Sequence, residues 1–156
     1  MIQTVIPCGR KGLQGMRLMI DTNIILDVLL ERDPFYAASR EVLTLCEEKI
    51  ILGFISASAA TDIFYLIRKG LGSTEKAYKA LGSVLDIVKV LTVTNNDVTE
   101  AFLKKARDFE DCLIATCAKS NKCSGIVTRN KKDFGDFGIQ LWSPEEIAEM
   151  NGKKGK

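Results

Sequence analysis

Two carboxylates in this sequence stand where an apolar segment meets the start of a helix. Asp21 directly follows the apolar run Leu18-Met19-Ile20, and Asp111 belongs to the acidic stretch Asp108-Phe109-Glu110-Asp111, which opens another apolar helix. Burying an ionised carboxylate without a partner is costly, so packing alone does not favour these positions. Ligands in open α/β sheets bind at the carboxyl ends of strands. We therefore interpret Asp21 and Asp111 as two walls of one cleft that binds a hard cation.

Both carboxylates also have a purely structural interpretation. Asp21 is placed where a helix dipole favours a negative charge. Asp111 lies three residues after Asp108, which can cap the helix, and the two resemble a capping box. On a helical wheel, however, Asp111 falls on the apolar face beside Ile114, away from a polar arc that includes Thr116. We favour a functional role for both Asp21 and Asp111.

A cluster of carboxylates favours metal-dependent chemistry. Like charges raise one another's pKa and repel, so the cluster requires a cation. Mg²⁺ and Mn²⁺ prefer carboxylate and water ligands. One or two such ions can lower the pKa of a water molecule and stabilise an in-line attack on phosphorus. The sequence contains no histidine, which excludes Ser-His-Asp and Cys-His triads.

Composition is that of one globular domain. The chain has 156 residues, 46% of them hydrophobic, and no apolar run reaches the length of a membrane span. The net charge of +2 means that a nucleic-acid partner requires a local basic patch. Five cysteines without a signal sequence indicate reduced thiols in a cytoplasmic protein, and we expect them to pack in the core.

Strands and helices alternate along the sequence. We predict strands at residues 17–20, 50–55, 88–93, 125–128 and, as an edge strand, 139–142. The alternation predicts a three-layer α/β/α sandwich with a mostly parallel sheet of four or five strands. We expect a loose extension over residues 1–15, a single domain over 16–150 and a polar tail over 151–156. Met16 is a candidate natural first residue.

Two further carboxylates are open to both interpretations. Asp27 shares a helix face with Asn23, so it either supports the cleft or is solvated. Asp62 lies at the edge of the apolar stripe of its helix, where a solvated charge explains it almost as well as a functional role.

The segment after the fourth predicted strand is rich in charge. Asp133 lies there with the cations Arg129, Lys131 and Lys132. Charge runs of this kind are usually solvated loops. If the cleft binds nucleic acid, we expect these cations to contact its phosphates.

Four segments of the sequence together resemble the PIN domain family. They are Met-Ile-Asp-Thr-Asn-Ile-Ile-Leu-Asp at residues 19–27, then residues 56–67, 108–115 and 126–134, in an order and spacing that match across about residues 16–142. The resemblance implies a PIN-like fold and a ribonuclease that depends on Mg²⁺ or Mn²⁺. Many bacterial and archaeal members are toxins of the VapBC type, paired with a small antitoxin, and homodimers are common.

The resemblance also implies roles for individual residues. Asp21 and Asp111 would bind the metal, and Asp62 and Asp133 would assist directly or through water. The second acid of the family is usually Glu, so the shorter Asp62 departs from the pattern, and Asn130 is a neutral alternative to Asp133. Residues expected to hold the site or the RNA substrate are Asn23, Thr128, Arg129, Asn130, Lys131 and Lys132.

Two other classes of protein remain as alternatives. A receiver-type signalling domain also binds Mg²⁺ with strand-end acids, but it requires an acceptor Asp after its central strand, whereas the third predicted strand is followed by Thr94-Asn95-Asn96. A catalytically silent PIN-like module that docks a partner helix is the second alternative, and RNA cleavage by the purified protein would exclude it.

Overall fold

A five-stranded parallel sheet forms the middle layer of the protein, as described by a computed structural model over residues 12–135 and 137–152. The strands are β1 (Arg17–Ile20), β2 (Leu52–Ser56), β3 (Lys89–Leu91), β4 (Gly125–Val127) and β5 (Gln140–Trp142). Every pairing is parallel, and the strand order is β3-β2-β1-β4-β5. The predicted α/β/α sandwich is confirmed, with five strands rather than four.

Eight helices within the described residues cover the two faces of the sheet. They are α1 (Thr22–Leu29), α2 (Tyr36–Glu47), α3 (Ala57–Leu71), α4 (Thr74–Ile87), α5 (Asn95–Lys104), α6 (Phe109–Ser120), α7 (Lys131–Phe134) and α8 (Pro144–Gly152). Leu18 and Ile20 pack with α1 to α4 and α8, whereas Met19 packs with α6 and α7. This alternation reflects the two-residue period of a strand. No helix in these residues is both long and apolar enough to span a membrane.

The direction in which the chain crosses the sheet changes between β1 and β4. From β1 the chain moves outward to β2 and β3, and it then returns to β4 on the other side of β1 and continues to β5. A crevice forms at the carboxyl ends of strands at such a reversal. Asp21 directly follows β1 and Thr128 directly follows β4. The flavodoxin-like order 2-1-3-4-5 of receiver domains differs from this one, so that alternative is wrong.

Helix α6 is more deeply buried than its sequence pattern predicts. All seven residues from Cys112 to Ala118 are buried, including Thr116, which the helical wheel assigns to a polar arc. The outer side is covered because α5 packs there, through Ala101. Thr116 tolerates burial because its hydroxyl donates a hydrogen bond to the Cys112 carbonyl at 2.8 Å.

The described part of the N-terminal extension is packed on the domain. Leu13 is fully buried in the larger core cluster, and the Gly15 amide donates a hydrogen bond to the Ile50 carbonyl at 2.8 Å. The expectation of a loose segment is therefore wrong for residues 12–15, while residues 1–11 lie outside the described range. At the other end, Asn151 and Gly152 complete α8 rather than belonging to a tail, and residues 153–156 are not described.

Three of the five cysteines are core residues, as expected. Cys46, Cys112 and Cys117 are buried, Cys123 is partly buried, and all four are free thiols. Burial raises the pKa of Cys46 to about 12, so this thiol stays protonated at neutral pH. Cys8 falls outside the described residues.

Gly125 of β4 pairs with Gln140 of β5 and provides a stability test. A Cβ at Gly125 would lie 2.6 Å from the Gln140 carbonyl oxygen and 2.4 Å from a ring carbon of Trp142. We expect Gly125→Ala to lower the free energy of unfolding by about 1–3 kcal/mol, because the β5 backbone must shift. Gly82 of α4 has no atom within 4 Å of such a Cβ.

The matched control, Gly82→Ala, should instead raise the free energy of unfolding by up to about 1 kcal/mol, because alanine restricts the unfolded chain and favours helix. Urea unfolding measures both. A neutral Gly125→Ala would show that β4 and β5 are less closely packed than described.

Candidate active site

A cavity of about 530 Å³ lies at the chain reversal between β1 and β4. Its wall contains six carboxylates, from the end of β1, from α3, from the start of α6 and from α7: Asp21, Asp62, Asp108, Glu110, Asp111 and Asp133. Asn23 and Asn130 also line it. The four acids predicted to be catalytic therefore share one cavity, although they are far apart in sequence.

Asp21 is fixed at the bottom of this arrangement. It occupies the N-cap position of α1, but its side chain makes no capping hydrogen bond there. Instead its Oδ2 accepts a hydrogen bond from the Thr128 hydroxyl at 2.9 Å, and only 6% of Asp21 is exposed. Burial raises the pKa of Asp21, while the hydrogen bond from Thr128 and the positive charge of Arg129 act in the opposite direction.

Asp111 faces Asp21 from the first turn of α6. Asp108 caps this helix by accepting a hydrogen bond from the Asp111 amide at 3.0 Å, as predicted. The Asp111 side chain is half-buried. Burial, followed by the negative charges of Asp108 and Asp21, raises the pKa of Asp111 to about 7. Protonated and ionised forms of Asp111 then coexist near neutral pH, and a bound cation would favour the ionised form.

Glu110 lines the cavity although the sequence analysis assigned it no role. Burial and the neighbouring charge of Asp62 raise the pKa of Glu110, and Asp62 reaches it from α3. Asp62 is exposed, yet it faces the same cavity. The acidic stretch at residues 108–111 could have indicated Glu110. Side chains of successive residues in the first turn of a helix point in different directions around its axis, yet more than one of them can line the same crevice.

Thr128 positions Asp21 rather than substrate. Its side chain is fully buried, and its hydroxyl also accepts a hydrogen bond from the backbone N–H of Asn130 at 3.0 Å. A fully buried hydroxyl leaves no surface for RNA, so the placement of Thr128 among substrate contacts is corrected to a role behind Asp21. The hydrogen bond to Asp21 is made from the end of β4, and the role of Thr128 in holding the site stays a prediction.

Arg129 is turned away from the acidic cavity. Its guanidinium donates two hydrogen bonds to Asp27, Nε to Oδ2 at 2.7 Å and the second from Nη2 to Oδ1 at 3.0 Å. It also lies 3.8 Å from the ring centroid of Phe35. Asp27 is fully buried and accepts a further hydrogen bond from Ser39, so it is not solvated. Arg129 therefore joins the segment after β4 to α1, and two of its three guanidinium nitrogens are occupied by Asp27.

Lys131 and Lys132 lie beside a second cavity that continues from the first. This cavity measures about 550 Å³, and Asn130 and Asp133 line both cavities. Both lysines are exposed. Lys131 forms an ion pair with Glu146, which holds the pKa of Glu146 below its usual range. The lining of the second cavity is therefore mixed, with the cations Arg129, Lys131 and Lys132 beside the carboxylates of Asp133 and Glu146.

The donor set fits a hard divalent cation. The side chains that converge are carboxylates. Burial, with a smaller contribution from mutual repulsion, raises the pKa of Asp21, Glu110 and Asp111, and a bound cation would reverse this. The Thr22 hydroxyl beside them is buried without a hydrogen-bond partner in the described residues. Within the same residues, no three acidic or cysteine side chains already have a metal-binding arrangement, so ligation requires side-chain adjustment.

Removing Arg129 from its ion pair with Asp27 should be strongly destabilising. We expect Arg129→Met to lower the free energy of unfolding by about 3 kcal/mol, because the fully buried Asp27 carboxylate would retain only the Ser39 hydroxyl and the Arg32 guanidinium 4.0 Å away. Lys132→Met removes an exposed cation from the same segment and should change it by less than about 0.5 kcal/mol. Chemical denaturation of both variants tests this, and equal effects would contradict the assigned pairing.

The raised pKa of Asp111 predicts how stability depends on pH without metal. The folded state binds the Asp111 proton more tightly than the unfolded state does, so protonation of Asp111 stabilises the fold. This contribution to the free energy of unfolding is fully present below about pH 4 and is lost as the pH rises through about 7. Asp111→Asn removes this dependence. We therefore expect its melting temperature in a chelator to exceed that of the unaltered protein by more at pH 8 than at pH 5. A constant difference would contradict the raised pKa.

Comparison with known proteins supports the fold and identifies the family. VapC20 of Mycobacterium tuberculosis, described as a sarcin-ricin loop cleaving toxin, aligns with a TM-score of 0.62 and 15% identity over 79% of this chain and 96% of that chain. VapBC2 of Rickettsia felis, bound to a DNA fragment from its promoter, gives 0.60 and 20% over 82% and 98%. A toxin–antitoxin complex from Klebsiella pneumoniae gives 0.59 and 22% over 83% and 99%.

At these identities the structural likeness concerns the fold alone. No curated protein sequence matches the chain. A family model described as the PIN domain matches residues 17–132, which include β1 to β4 and every carboxylate of the cavity except Asp133. Since this match spans well over half of the sequence, the chain belongs to the PIN domain family.

Proposed function

We propose that the protein is a divalent-metal-dependent endoribonuclease that hydrolyses RNA phosphodiesters. The observation that carries the proposal is the convergence of Asp21, Asp62, Asp111 and Asp133 on one cavity, beside a second cavity lined by lysines. Carboxylates alone would repel a polyanionic substrate, so the arrangement makes chemical sense only with a cation between them. Mg²⁺ and Mn²⁺ both suit these ligands.

The residues of the cavity have separate roles in the proposed reaction. Asp21, held by Thr128, and Asp111 would supply the carboxylate oxygens that hold the cation. When bound, the cation activates a water molecule as nucleophile and neutralises charge that develops on the phosphate. Asp62 and Asp133 flank these two acids, where they bind the cation directly or through water and accept the proton that the attacking water loses.

Neutral and basic groups around the acids would hold the RNA. Asn23 and Asn130 line the cavity, and their side-chain amides can donate hydrogen bonds to phosphate oxygens. Lys131 and Lys132 lie along the adjoining cavity and would attract the phosphates of the strand that leaves the cation site. Arg129 acts only indirectly, through the position of the segment that carries these groups.

We further propose that the protein is the toxin of a type II toxin–antitoxin pair. Two of the similar structures are described as toxin–antitoxin or VapBC complexes, and the third as a toxin. Expression of the protein in a bacterial host should then arrest growth, and Asp21→Asn should remove the arrest. Co-expression of the small reading frame adjacent to its gene should restore growth, whereas an arrest that persists with Asp21→Asn would contradict a nuclease toxin.

Cleavage assays test the nuclease itself. We expect the purified protein to cut RNA in Mg²⁺ or Mn²⁺ and to lose this activity in excess chelator. Asp21→Asn and Asp111→Asn should each lower the rate by about 100-fold or more, because each removes a charged ligand. Asp86→Asn, which alters an exposed carboxylate of α4 outside the cavity, should cleave at the unaltered rate.

Two results would overturn these assignments. Cleavage that persists in both Asp21→Asn and Asp111→Asn would show that the cavity is not the active site. RNA binding without cleavage in any divalent metal would instead favour a catalytically silent binding module. Circular dichroism of each variant establishes that a lost activity is not a lost fold.

A further inference from the structure

An exposed aromatic side chain stands at the rim of the acidic cavity. Tyr65 belongs to α3 and lines the cavity together with Asp62, three residues earlier on the same helix face. Its relative exposure is 55%, high for a tyrosine that also lines a cavity. Leu66 lines the cavity next to it and is 41% exposed. The proposed metal ligands are thus bordered by an apolar surface on the α3 side.

The ring of Tyr65 is held in place by its neighbours. Phe64 meets it edge-on, with ring centroids 5.2 Å apart, and the guanidinium carbon of Arg68 lies 5.0 Å from its centroid. Phe64 in turn packs against the large core cluster. A side chain that is already ordered loses little conformational entropy when a ligand covers it, so a contact with Tyr65 is efficient.

Electrostatics favours an uncharged contact on the α3 side. A phosphate near the cation site must pass six carboxylates, and Lys131 and Lys132 lie beside the other cavity. On the α3 side the Arg68 guanidinium lies over the Tyr65 ring, so a contact with the ring adds to any ionic contact that Arg68 makes. A nucleobase stacked on an aromatic ring gains energy without any charge, and every base offers such a face.

We propose that Tyr65 is a stacking platform for an unpaired nucleobase next to the scissile phosphate. This inference rests on the proposed nuclease function. Bases within an A-form duplex are covered by their neighbours, so the platform acts on loops, ends and unpaired strands. Tyr65 binds the base beside the scissile phosphate, whereas the carboxylates perform the cleavage.

Another exposed ring serves as a matched control. Phe102 of α5 is 56% exposed, and the Lys105 ammonium lies 3.4 Å from its centroid, much as Arg68 covers Tyr65. Phe102 does not line the acidic cavity. Exposure and a neighbouring cation are thus common to both rings, and position relative to the cavity distinguishes them.

Binding measured without cleavage tests the platform. In the full-length Asp21→Asn protein, fluorescence anisotropy of a labelled single-stranded oligoribonucleotide should show that Tyr65→Ala weakens affinity about ten- to hundredfold. Tyr65→Trp should retain the affinity, and Tyr65→Leu should not, because leucine has no aromatic face. Phe102→Ala should have no effect, and Tyr65→Ala should not change the affinity for duplex RNA.

A stacked base also has a spectroscopic signature. An oligoribonucleotide that carries 2-aminopurine should be quenched on binding to the Asp21→Asn protein, and Tyr65→Ala in that background should remove the quenching. In the cleaving protein, Tyr65→Ala should raise KM for single-stranded RNA more than it lowers kcat.

The outcomes separate this inference from the proposed function. Metal-dependent cleavage with KM and affinity unchanged in Tyr65→Ala would overturn the platform and leave the nuclease intact. A protein that neither binds nor cuts RNA would overturn both. If Tyr65→Leu binds as tightly as Tyr65→Trp, or if Tyr65→Ala changes only association with a protein partner, the α3 face is an apolar docking surface and the platform is wrong.

Discussion

The hydrogen bond between Thr128 and Asp21 is the contact on which the arrangement of the site depends. It joins the ends of β1 and β4, 107 residues apart in sequence, where the chain reverses its direction across the sheet. The Thr128 hydroxyl donates to Asp21 and accepts from the Asn130 amide, so its orientation is determined by two partners. A carboxylate with 6% exposure would otherwise favour its neutral form. The Thr128 hydroxyl therefore opposes the rise in the pKa of Asp21 that burial causes, and it fixes the segment that carries Asn130.

Cations of the segment after β4 are paired with acids that lie outside the acidic cavity. Arg129 is committed to Asp27, and Lys131 is paired with Glu146. The acidic cavity is thereby left with an excess of negative charge, which adds to the effect of burial in raising the pKa of Asp111 to about 7. Such a concentration of like charge costs stability in the absence of a ligand, and functional sites commonly contain groups perturbed in this way. The buried pair of Arg129 and Asp27 offsets part of this cost by holding the loop against α1 and α2.

Local pattern was sufficient for the elements and for the position of two acids. Apolar segments that alternate with helical patterns predicted all five strands. The rule that ligands bind at strand ends indicated Asp21 as a candidate site residue. The helical wheel predicted that Asp111 faces the interior, and the structure places it at the cavity. Residues 112–118 of α6 are buried on every side, because α5 covers the face that the wheel assigned to solvent. The roles of these acids in catalysis stay predictions. Periodicity describes one element at a time, so it could not foresee that cover.

Contacts between distant segments explain what the sequence left open. Arg129 and Asp27 are 102 residues apart, and no local pattern indicates that a cation in a charged loop will pair with an acid of the first helix. Both residues were therefore open to interpretation as solvated or substrate-binding charges. Thr128 was linked to the site only by resemblance, since a threonine at the end of a strand has no distinctive signal. Leu13 likewise contributes to the core although it follows a segment without periodicity.

Helix α3 shows how core packing can set the register of a substrate. Ile63 and Ile67 are fully buried, which fixes the rotation of the helix about its axis. That rotation directs Asp62 and Tyr65, one helical turn apart, into the same cavity. A rigid helix therefore holds the Asp62 carboxylate and the Tyr65 ring at a constant separation. If both proposed roles hold, the distance between the cleaved phosphate and the stacked base is determined by the apolar face of α3, because side chains that touch neither of them set the geometry of both.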